Sequence, residues 1–351
     1  MNDTVVVAGH VCLDIFPDLP VQPDHVWQLV PGMLRQVGPA RLAPGGVVAN
    51  TGLALHRLGL RPRLVGAVGR DLFGQAVLEA FQAHDSALTE YMLVREDAAT
   101  AYAVVLSPPG MDRMFLAHTG ANDTFSPDDL TDAHLAGARM LHVGYPPLLR
   151  RTYVDGGTAL RDCFRRAKRL GLVTSLDMSL PDPASESGQV EWVAWLATVL
   201  PETDVFLPSL EELVFMLDRP RWLAGGDLLN DGTVPRMAAR LLDMGVGTIV
   251  VKLGAQGLYA QTAVRAIHAP CFRVAVQGTT GAGDCTVAGF LAGIIHGYTL
   301  DECATLAVGA GACCVEAVDA FSGLIDLEIL QRRISAGWER HPVNINMEER
   351  R

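Results

Sequence analysis

The sequence predicts an α/β fold built on one mainly parallel sheet with helices on both faces. Short β-rich runs alternate with helical patterns over most of the 351 residues, and this alternation is typical of parallel strands connected by helices. Two helical patterns end at Gly59 and Gly171, where glycine suits a left-handed C-cap. Apolar residues make up 49% of the chain, enough for a large core without disulfides or a structural metal.

The individual elements follow from local patterns. Strands are predicted over residues 4–9, 63–69, 101–107, 140–145, 173–177, 205–208 and 248–253. Helices are predicted over residues 49–58 and 158–170. The run Ser126-Pro127-Asp128-Asp129 predicts a further helix start, with an N-cap serine, a proline at N1 and acids in the first turn.

Three stretches interrupt the alternation. Residues 17–44 are rich in Pro and Gly, and residues 100–118 hold two β-like runs joined by Pro108-Pro109-Gly110, a predicted hairpin. Together they predict a small sheet beside the main domain, a candidate lid over a site. Residues 218–232, with Gly225-Gly226-Asp227 and Asn230-Asp231-Gly232, are predicted to be a surface loop.

Charge and composition exclude several partner classes. The net charge is −11 and no basic stripe is evident, which disfavours nucleic-acid binding. The basic residues within 161–169 are interpreted as the solvated face of a helix. Met1 to Thr4 lead directly into short apolar Val5-Val6-Val7, with no signal-peptide pattern and no apolar run of about 20 residues for a membrane helix. The seven cysteines lack C-x-x-C spacing, so we expect reduced thiols in a cytoplasmic protein.

The most informative segment covers residues 274–297. Its second half carries an apolar stripe at the i, i+3, i+4, i+7, i+8 positions of an amphipathic helix: Val287, Phe290, Leu291, Ile294 and Ile295. Gly281 and Gly283 therefore lie at a helix N-terminus, where free amides and the helix dipole favour an anion. Glycine also lets the backbone approach that anion closely.

Asp284 follows these glycines directly, and two interpretations of it stay open. It is either an acid that caps the helix or interacts with its dipole, or a base that takes a proton from a hydroxyl attacking a phosphoryl group. The spacing alone does not choose between them, because short glycine motifs are weakly specific.

The run Thr279-Thr280-Gly281-Ala282-Gly283-Asp284 closely resembles the C-terminal signature of the ribokinase/phosphofructokinase-B (PfkB) carbohydrate kinases. The resemblance implies a ribokinase-like three-layer α/β/α fold with a small β-sheet lid. It also implies that Asp284 is the catalytic base and that the amides of Gly281, Ala282 and Gly283 form an anion hole.

Other segments occur in family order across nearly the whole chain. The segment Gly9 to Asp14 and the segment Pro44-Gly45-Gly46 to Asn50 resemble the substrate-binding pieces, which implies that Asp14, Gly45, Gly46 and Asn50 bind the acceptor. Residues 65–74 and 119–122 also match. At the other end, the resemblance implies ATP-binding residues at Ser209, Lys252, Gly254, Gly257, Thr279, Gly309 and Cys313.

Two positions depart from the commonest family pattern. Gly278 stands where an Asp associated with a monovalent-cation site is usual, which leaves such a cation an open question. Ser209 stands where Asn is usual, whereas Glu212 occupies the expected Glu position. The resemblance implies that Glu212 acts on Mg2+ through water, and magnesium is expected because it neutralises charge on ATP.

These observations predict an ATP-dependent kinase of a small sugar. The kinase domain is predicted over residues 1–340, with lid segments at about 11–45 and 99–118 and a tail at 341–351. A nucleoside kinase on the same fold and a catalytically silent sugar sensor remain alternatives. A dehydrogenase is disfavoured because Val7-Ala8-Gly9 opens no G-x-G-x-x-G turn. Cys285 is expected to pack rather than react, and family analogy suggests a homodimer through the lid.

Overall fold

Fourteen strands and twelve α-helices alternate along the part of the chain that the structure describes. The structure is a computed structural model, and it describes residues 3–20, 31–108, 114–226, 228–229 and 232–342. The strands are β1 Thr4–Gly9, β2 Cys12–Phe16, β3 Arg41–Gly45, β4 Arg61–Val65, β5 Ala67–Gly69, β6 Leu93–Arg95, β7 Tyr102–Leu106, β8 Met114–His118, β9 Met140–Gly144, β10 Val173–Asp177, β11 Val205–Phe206, β12 Thr248–Lys252, β13 Leu258–Thr262 and β14 Ala266–Ala269. The helices are α1 Gly46–Arg57, α2 Leu72–Gln82, α3 Asp132–Leu135, α4 Arg150–Tyr153, α5 Thr158–Arg169, α6 Trp192–Val199, α7 Leu210–Leu217, α8 Arg219–Ala224, α9 Thr233–Asp243, α10 Ala282–His296, α11 Leu300–Cys314 and α12 Leu327–Ser335.

The main sheet has eight strands in the order β14-β13-β12-β11-β10-β9-β1-β4. The six strands from β4 to β12 are parallel, and β13 and β14 continue the sheet antiparallel. The predicted mainly parallel sheet is therefore confirmed. The antiparallel edge formed by β13 and β14 was not predicted from the sequence. The carboxyl ends of all six parallel strands meet at one edge, where ligands bind in open α/β sheets.

Helices cover both faces of this sheet and form two cores. Val5 and Val7 of β1 point to the core shared with α1, α10 and α11. Val6 and Ala8 point to the other core, shared with α5, α6, α7 and α9. Side chains alternate across a strand, so β1, which is buried on both faces, is apolar from Val5 to Ala8. The predicted three-layer α/β/α architecture is confirmed.

The predicted amphipathic helix is α10. It begins after Gly281, whose φ is 73°, and ends before Gly297, whose φ is 76°. Its small residues face α11: a Cβ on Gly289 would lie 2.9 Å from the Cα of Ala307. This close approach fixes α10, and therefore its N-terminus, against the rest of the core.

A second sheet of four strands, in the order β3-β2-β7-β8, stands apart from the main one. It is built from the two stretches predicted to form a small sheet, with β2 parallel to β7 and the other pairs antiparallel. We refer to it as the small sheet. The predicted hairpin residues Pro109, Gly110 and Arg113 lie outside the described residues, as do residues 21–30 and 343–351.

Several predicted boundaries were wrong. The strand predicted over 63–69 divides at Gly66, where a Cβ would lie 2.8 Å from Val11, and its second half, β5, pairs with β6 instead. Only two residues of the 205–208 run form the strand β11. Ser126 does cap a turn, but that turn is a 3-10 helix over Pro127–Asp129.

The predicted loop over 218–232 was also wrong in part, because it contains α8. Asp218 accepts a hydrogen bond from the Arg221 amide at 3.3 Å and so caps this helix. A helix of six residues is too short for its periodicity to be recognised in the sequence. Asp227, Asn230 and Asp231 of the predicted loop lie outside the described residues. Within the described part of the chain, no helix has the length and apolar character needed to span a bilayer.

Candidate active site

Polar side chains converge where β1, β9, β10 and β12 end, beside the N-termini of α1 and α10. Asp284, in the first turn of α10, is 4% exposed. Its Oδ1 accepts hydrogen bonds from Thr51 Oγ1 at 3.1 Å and Tyr145 Oη at 2.8 Å. Its Oδ2 accepts from Asn50 Nδ2 at 3.1 Å and from the same Tyr145 hydroxyl at 3.0 Å. The carboxylate is thus held by three donors from two other parts of the chain.

The start of α1 is built against the end of β1. The Val48 amide donates to the His10 carbonyl at 3.1 Å, and Gly46 takes a φ of 82° at a point where a Cβ would overlap the His10 ring and carbonyl. Only glycine adopts this conformation at low cost. The position of Gly46 therefore sets how Asn50, one turn later, reaches Asp284.

Asp14 of β2 lies beside Gly45, where a Cβ would overlap its carboxylate. Burial raises the pKa of Asp14 to about 6, and the negative charge of Asp284 also raises it. The Cys12 thiol donates a hydrogen bond to Oδ1 of Asp14 at 3.2 Å and lowers the pKa. The structure therefore brings Asp14, Gly45, Gly46 and Asn50 together near Asp284.

Lys252, at the end of β12, lies on the other side of the glycine turn. Its Nζ is 2.6 Å from Oδ1 of Asp177, the last residue of β10, and 3.7 Å from the point where a Cβ on Gly283 would stand. Burial raises the pKa of Asp177 to about 7, although Lys252 favours its ionised form. Burial opposes the charge on Lys252 as well, but Asp177 and Glu212 outweigh it and raise the pKa of Lys252.

Ser209 and Glu212 form a capping box at the start of α7. The Ser209 amide donates to Glu212 Oε2 at 2.7 Å, and the Glu212 amide donates to Ser209 Oγ at 3.3 Å. Burial raises the pKa of Glu212, with Lys252 opposing. Asp177 Oδ2 is buried and has no hydrogen-bond partner among the described residues.

Glu212 and Asp177 are the carboxylates available to bind the expected magnesium ion. Among the residues that the structure describes, no group of three His, Cys, Asp or Glu side chains could hold a metal. A hydrated Mg2+ bound mainly through phosphates needs only one or two protein carboxylates. Glu212 and the unpartnered Asp177 oxygen fit that requirement.

The remaining predicted nucleotide residues lie farther along the C-terminal half. Gly254 and Gly257 form the turn between β12 and β13, and Thr279 is exposed, with its carbonyl accepting from the Ala282 amide at 3.4 Å. Gly309 of α11 contacts Leu330 and Ile334 of α12. Cys313 is buried, and its sulfur accepts from Arg333 Nη1 at 3.6 Å. The Gly309 backbone and the Cys313 side chain therefore lie against α12.

Three site residues were missed in the sequence: Thr51, Tyr145 and Asp177. Asp177 ends β10 and Tyr145 directly follows β9. Polar residues at the carboxyl ends of parallel strands were a signal that could have identified both. Thr51 adjoins Asn50, and only its contact with Asp284 distinguishes it from a core threonine.

Comparisons with known proteins identify the family. The family model for the pfkB family of carbohydrate kinases matches residues 3–326. An uncharacterized sugar kinase of Archaeoglobus fulgidus is 26% identical over 272 residues, covering 78% of this chain and 98% of the relative. The "Probable fructokinase-4" of Arabidopsis thaliana is 30% identical over 256 residues, covering 72% of this chain and 73% of the relative.

Solved structures match over almost the full length. A fructokinase from Xylella fastidiosa with bound ATP superposes with a TM-score of 0.74 at 24% identity, covering 96% of this chain and 99% of its own. A protein from Escherichia coli assigned as a ribokinase II, in complex with ATP and Mg2+, gives a TM-score of 0.70 at 20% identity, covering 95% and 99%. These likenesses establish the ribokinase fold. With the family model matched over residues 3–326, the chain belongs to the pfkB family of carbohydrate kinases.

Proposed function

We propose that this kinase transfers the γ-phosphoryl group of ATP to a hydroxyl of a small sugar, with Asp284 as general base. The observation that carries the proposal is the setting of Asp284. It stands in the first turn of α10, yet its carboxylate is directed to Asn50, Thr51 and Tyr145 rather than to solvent. A buried carboxylate at the edge of the sheet, next to a phosphate-binding helix N-terminus, is suited to deprotonate a bound hydroxyl.

The chemistry then needs little else from the protein. The acceptor hydroxyl gives its proton to Asp284 while its oxygen bonds to the γ-phosphorus, and the bond from that phosphorus to ADP breaks. Negative charge on the transferring group faces the amides of Gly281, Ala282 and Gly283, which serve as the anion hole at the positive end of α10. Lys252 Nζ, close to Gly283, adds a positive charge at the same place.

The acceptor is proposed to bind between the small sheet and the main sheet. Asp14 accepts hydrogen bonds from sugar hydroxyls, Gly45 and Gly46 let the sugar approach the backbone, and Asn50 orients the base. The small sheet acts as a lid that excludes water from the reacting groups.

ATP is proposed to lie along Ser209, Lys252, Gly254, Gly257, Thr279, Gly309 and Cys313. Magnesium neutralises phosphate charge, and we infer that Glu212 holds it through water. The E. coli protein of this fold was solved with ATP and Mg2+, which supports ATP and magnesium here. Gly278 offers no carboxylate to a monovalent cation, because it has no side chain and a Cβ there would lie 2.8 Å from the Val318 carbonyl.

The outer strand of the small sheet supports the proposed homodimer. Met114, Phe115 and Leu116 of β8 are 43%, 56% and 57% exposed, and exposed apolar strands of this kind favour pairing with another copy. Leu116→Lys should shift the sedimentation of a dimer to that of a monomer; unchanged sedimentation would exclude this face.

We further propose a cytoplasmic location, where ATP is supplied and the seven free thiols stay reduced.

The decisive assay measures ADP release with ATP, magnesium and a panel of sugars, polyols and nucleosides. Asp284→Asn should lower acceptor-dependent turnover about 10²- to 10⁴-fold, the usual contribution of a general base. Asp301→Asn is the matched control, because Asp301 also lies in the first turn of a helix but forms an exposed ion pair with Arg265.

Each other outcome selects an alternative. Turnover with nucleosides alone would identify a nucleoside kinase, and binding of sugars without any turnover would identify a sensor. Full activity of Asp284→Asn would show that the base has been assigned wrongly.

A further inference from the structure

Tyr145 has an unusual backbone conformation. Among the described residues it alone, apart from glycines, has a positive φ, with φ 62° and ψ 44°. Left-handed backbone is costly for a residue with a Cβ, and Pro146 follows, which favours extended backbone before it. Such strain persists only where the surrounding structure imposes it, and it occurs most often at functional sites.

The contacts of Tyr145 show where that strain places the side chain. Its amide donates to the Asp177 carbonyl at 3.3 Å, and its ring centroid is 6.0 Å from that of His10. Its hydroxyl donates to Asp284 at 2.8 Å and 3.0 Å, shared between the two carboxylate oxygens. The strained backbone therefore delivers a hydroxyl group to the proposed base.

The hydrogen-bonding capacity of Asp284 makes this placement informative. A carboxylate offers about four lone-pair positions. Asn50 and Thr51 each donate to one oxygen, and the single Tyr145 proton is shared between the two, so that the Tyr145 hydroxyl contacts both oxygens at once. A base needs an unoccupied position for the hydroxyl that it deprotonates. An acceptor hydroxyl that approaches Asp284 on the side covered by Tyr145 therefore requires Tyr145 to move.

The three donors differ in their freedom to move. Asn50 and Thr51 lie within α1 and are 7% and 0% exposed. Tyr145 follows β9 outside any α-helix and is only half-buried. Its side chain is therefore the least confined of the three, and Tyr145 is the donor that yields.

We propose that the Tyr145 hydroxyl occupies the place of the acceptor hydroxyl on Asp284 until a sugar displaces it. This inference rests on the proposed function, in which Asp284 is the base. While Tyr145 stays in place, its hydroxyl keeps water from the side of Asp284 that it contacts. Hydrolysis, in which water gives a proton to Asp284 and its oxygen bonds to the γ-phosphorus to release ADP and phosphate, is thereby suppressed. Tyr145 is in this sense a gating residue for the choice between sugar and water.

The test measures phosphate release from ATP and magnesium with no sugar present. Tyr145→Phe keeps the ring and removes the hydroxyl, and should raise this hydrolysis about tenfold, the factor carried by one hydrogen bond to a charged group. Tyr145→Leu is a second variant without the hydroxyl and should show the same rise. Tyr298→Phe is the matched control, because its hydroxyl accepts from Gln331 at 2.6 Å in another part of the fold; its hydrolysis should stay at the wild-type rate.

Two further comparisons make the outcome decisive. Adding Asp284→Asn to Tyr145→Phe should remove the extra hydrolysis, because water then lacks its base. A residue that merely positions Asp284 would instead lower hydrolysis and sugar phosphorylation together when its hydroxyl is removed. That result, or hydrolysis at the wild-type rate in both Tyr145 variants, would overturn the inference. If Asp284→Asn alone keeps sugar-dependent turnover, the proposed function fails instead.

Discussion

Replacing Lys252 with methionine should destabilise the protein, and more strongly as the pH rises. The side chains of Lys252 and Asp177 are 12% and 0% exposed, and their charged atoms lie 2.6 Å apart. Lys252→Met keeps most of the volume but leaves Asp177 without its cation. Breaking a buried pair in this way costs about 3–5 kcal/mol of unfolding free energy.

The pH dependence follows from the pKa of Asp177. Burial raises it to about 7 even beside Lys252, against about 3.9 in the unfolded chain. A carboxyl with a raised folded pKa binds its proton more tightly in the folded state, so stability falls by about 1.4 kcal/mol per pH unit between the two pKa values. From pH 5.5 to 8 the wild type should lose about 2 kcal/mol through Asp177. Without Lys252 the folded pKa rises further, because the cation that lowers it is gone, and the loss should be larger, up to about 3.4 kcal/mol if Asp177 stays protonated over the whole range.

Urea unfolding at pH 5.5 and pH 8 tests both values. The gap between wild type and Lys252→Met should widen by up to about 1.4 kcal/mol at the higher pH. Lys168→Met is the control, since Lys168 pairs with Asp204 at 2.9 Å but both side chains are 36% exposed; it should cost less than about 1 kcal/mol. A gap that stays constant within about 0.5 kcal/mol between the two pH values would refute the reasoning.

Three predictions concern the acceptor end of the site. Gly45→Ala should raise the acceptor KM about tenfold and leave the ATP KM nearly unchanged, because the new Cβ overlaps the Asp14 carboxylate. An acceptor KM equal to that of the wild type would contradict this prediction. The acceptor kcat/KM of the wild type should fall below pH 6 as Asp14 takes up a proton, and pH profiles of Asp14→Asn should lack that limb. Thr51→Val should lower kcat about tenfold by removing a donor from Asp284, and an unchanged kcat would show that Thr51 does not orient the base.

Local patterns predicted the parts of the fold that local forces determine. The stripe from Val287 to Ile295 predicted α10 because a helix repeats its contacts every three to four residues. The β-α alternation predicted the parallel sheet for a similar reason. The division at Gly66 depends on Val11 of another segment, and no pattern within residues 63–69 contains that information.

Prediction of the site from the sequence is limited in the same way, because its residues come from distant segments. The glycine turn and Asp284 are consecutive and could be identified from the sequence, but Asn50 and Asp284 are 234 positions apart. Tyr145 is harder still, because both its β-carbon and the following proline disfavour the conformation it adopts. A residue held against its local preference is identified only through the tertiary contacts that hold it.

Those tertiary contacts also bear on the two interpretations of Asp284 that the spacing left open, a capping acid or a base. An acid that caps its own helix accepts from that helix's amides, as Asp71 does from Gly74 at 2.8 Å. The side-chain hydrogen bonds described for Asp284 instead come from α1 and from Tyr145. Asn caps a helix about as well as Asp, so Asp284→Asn should change helix stability little under the capping interpretation. A large loss of turnover in a variant of near wild-type stability is therefore expected only if Asp284 is the base.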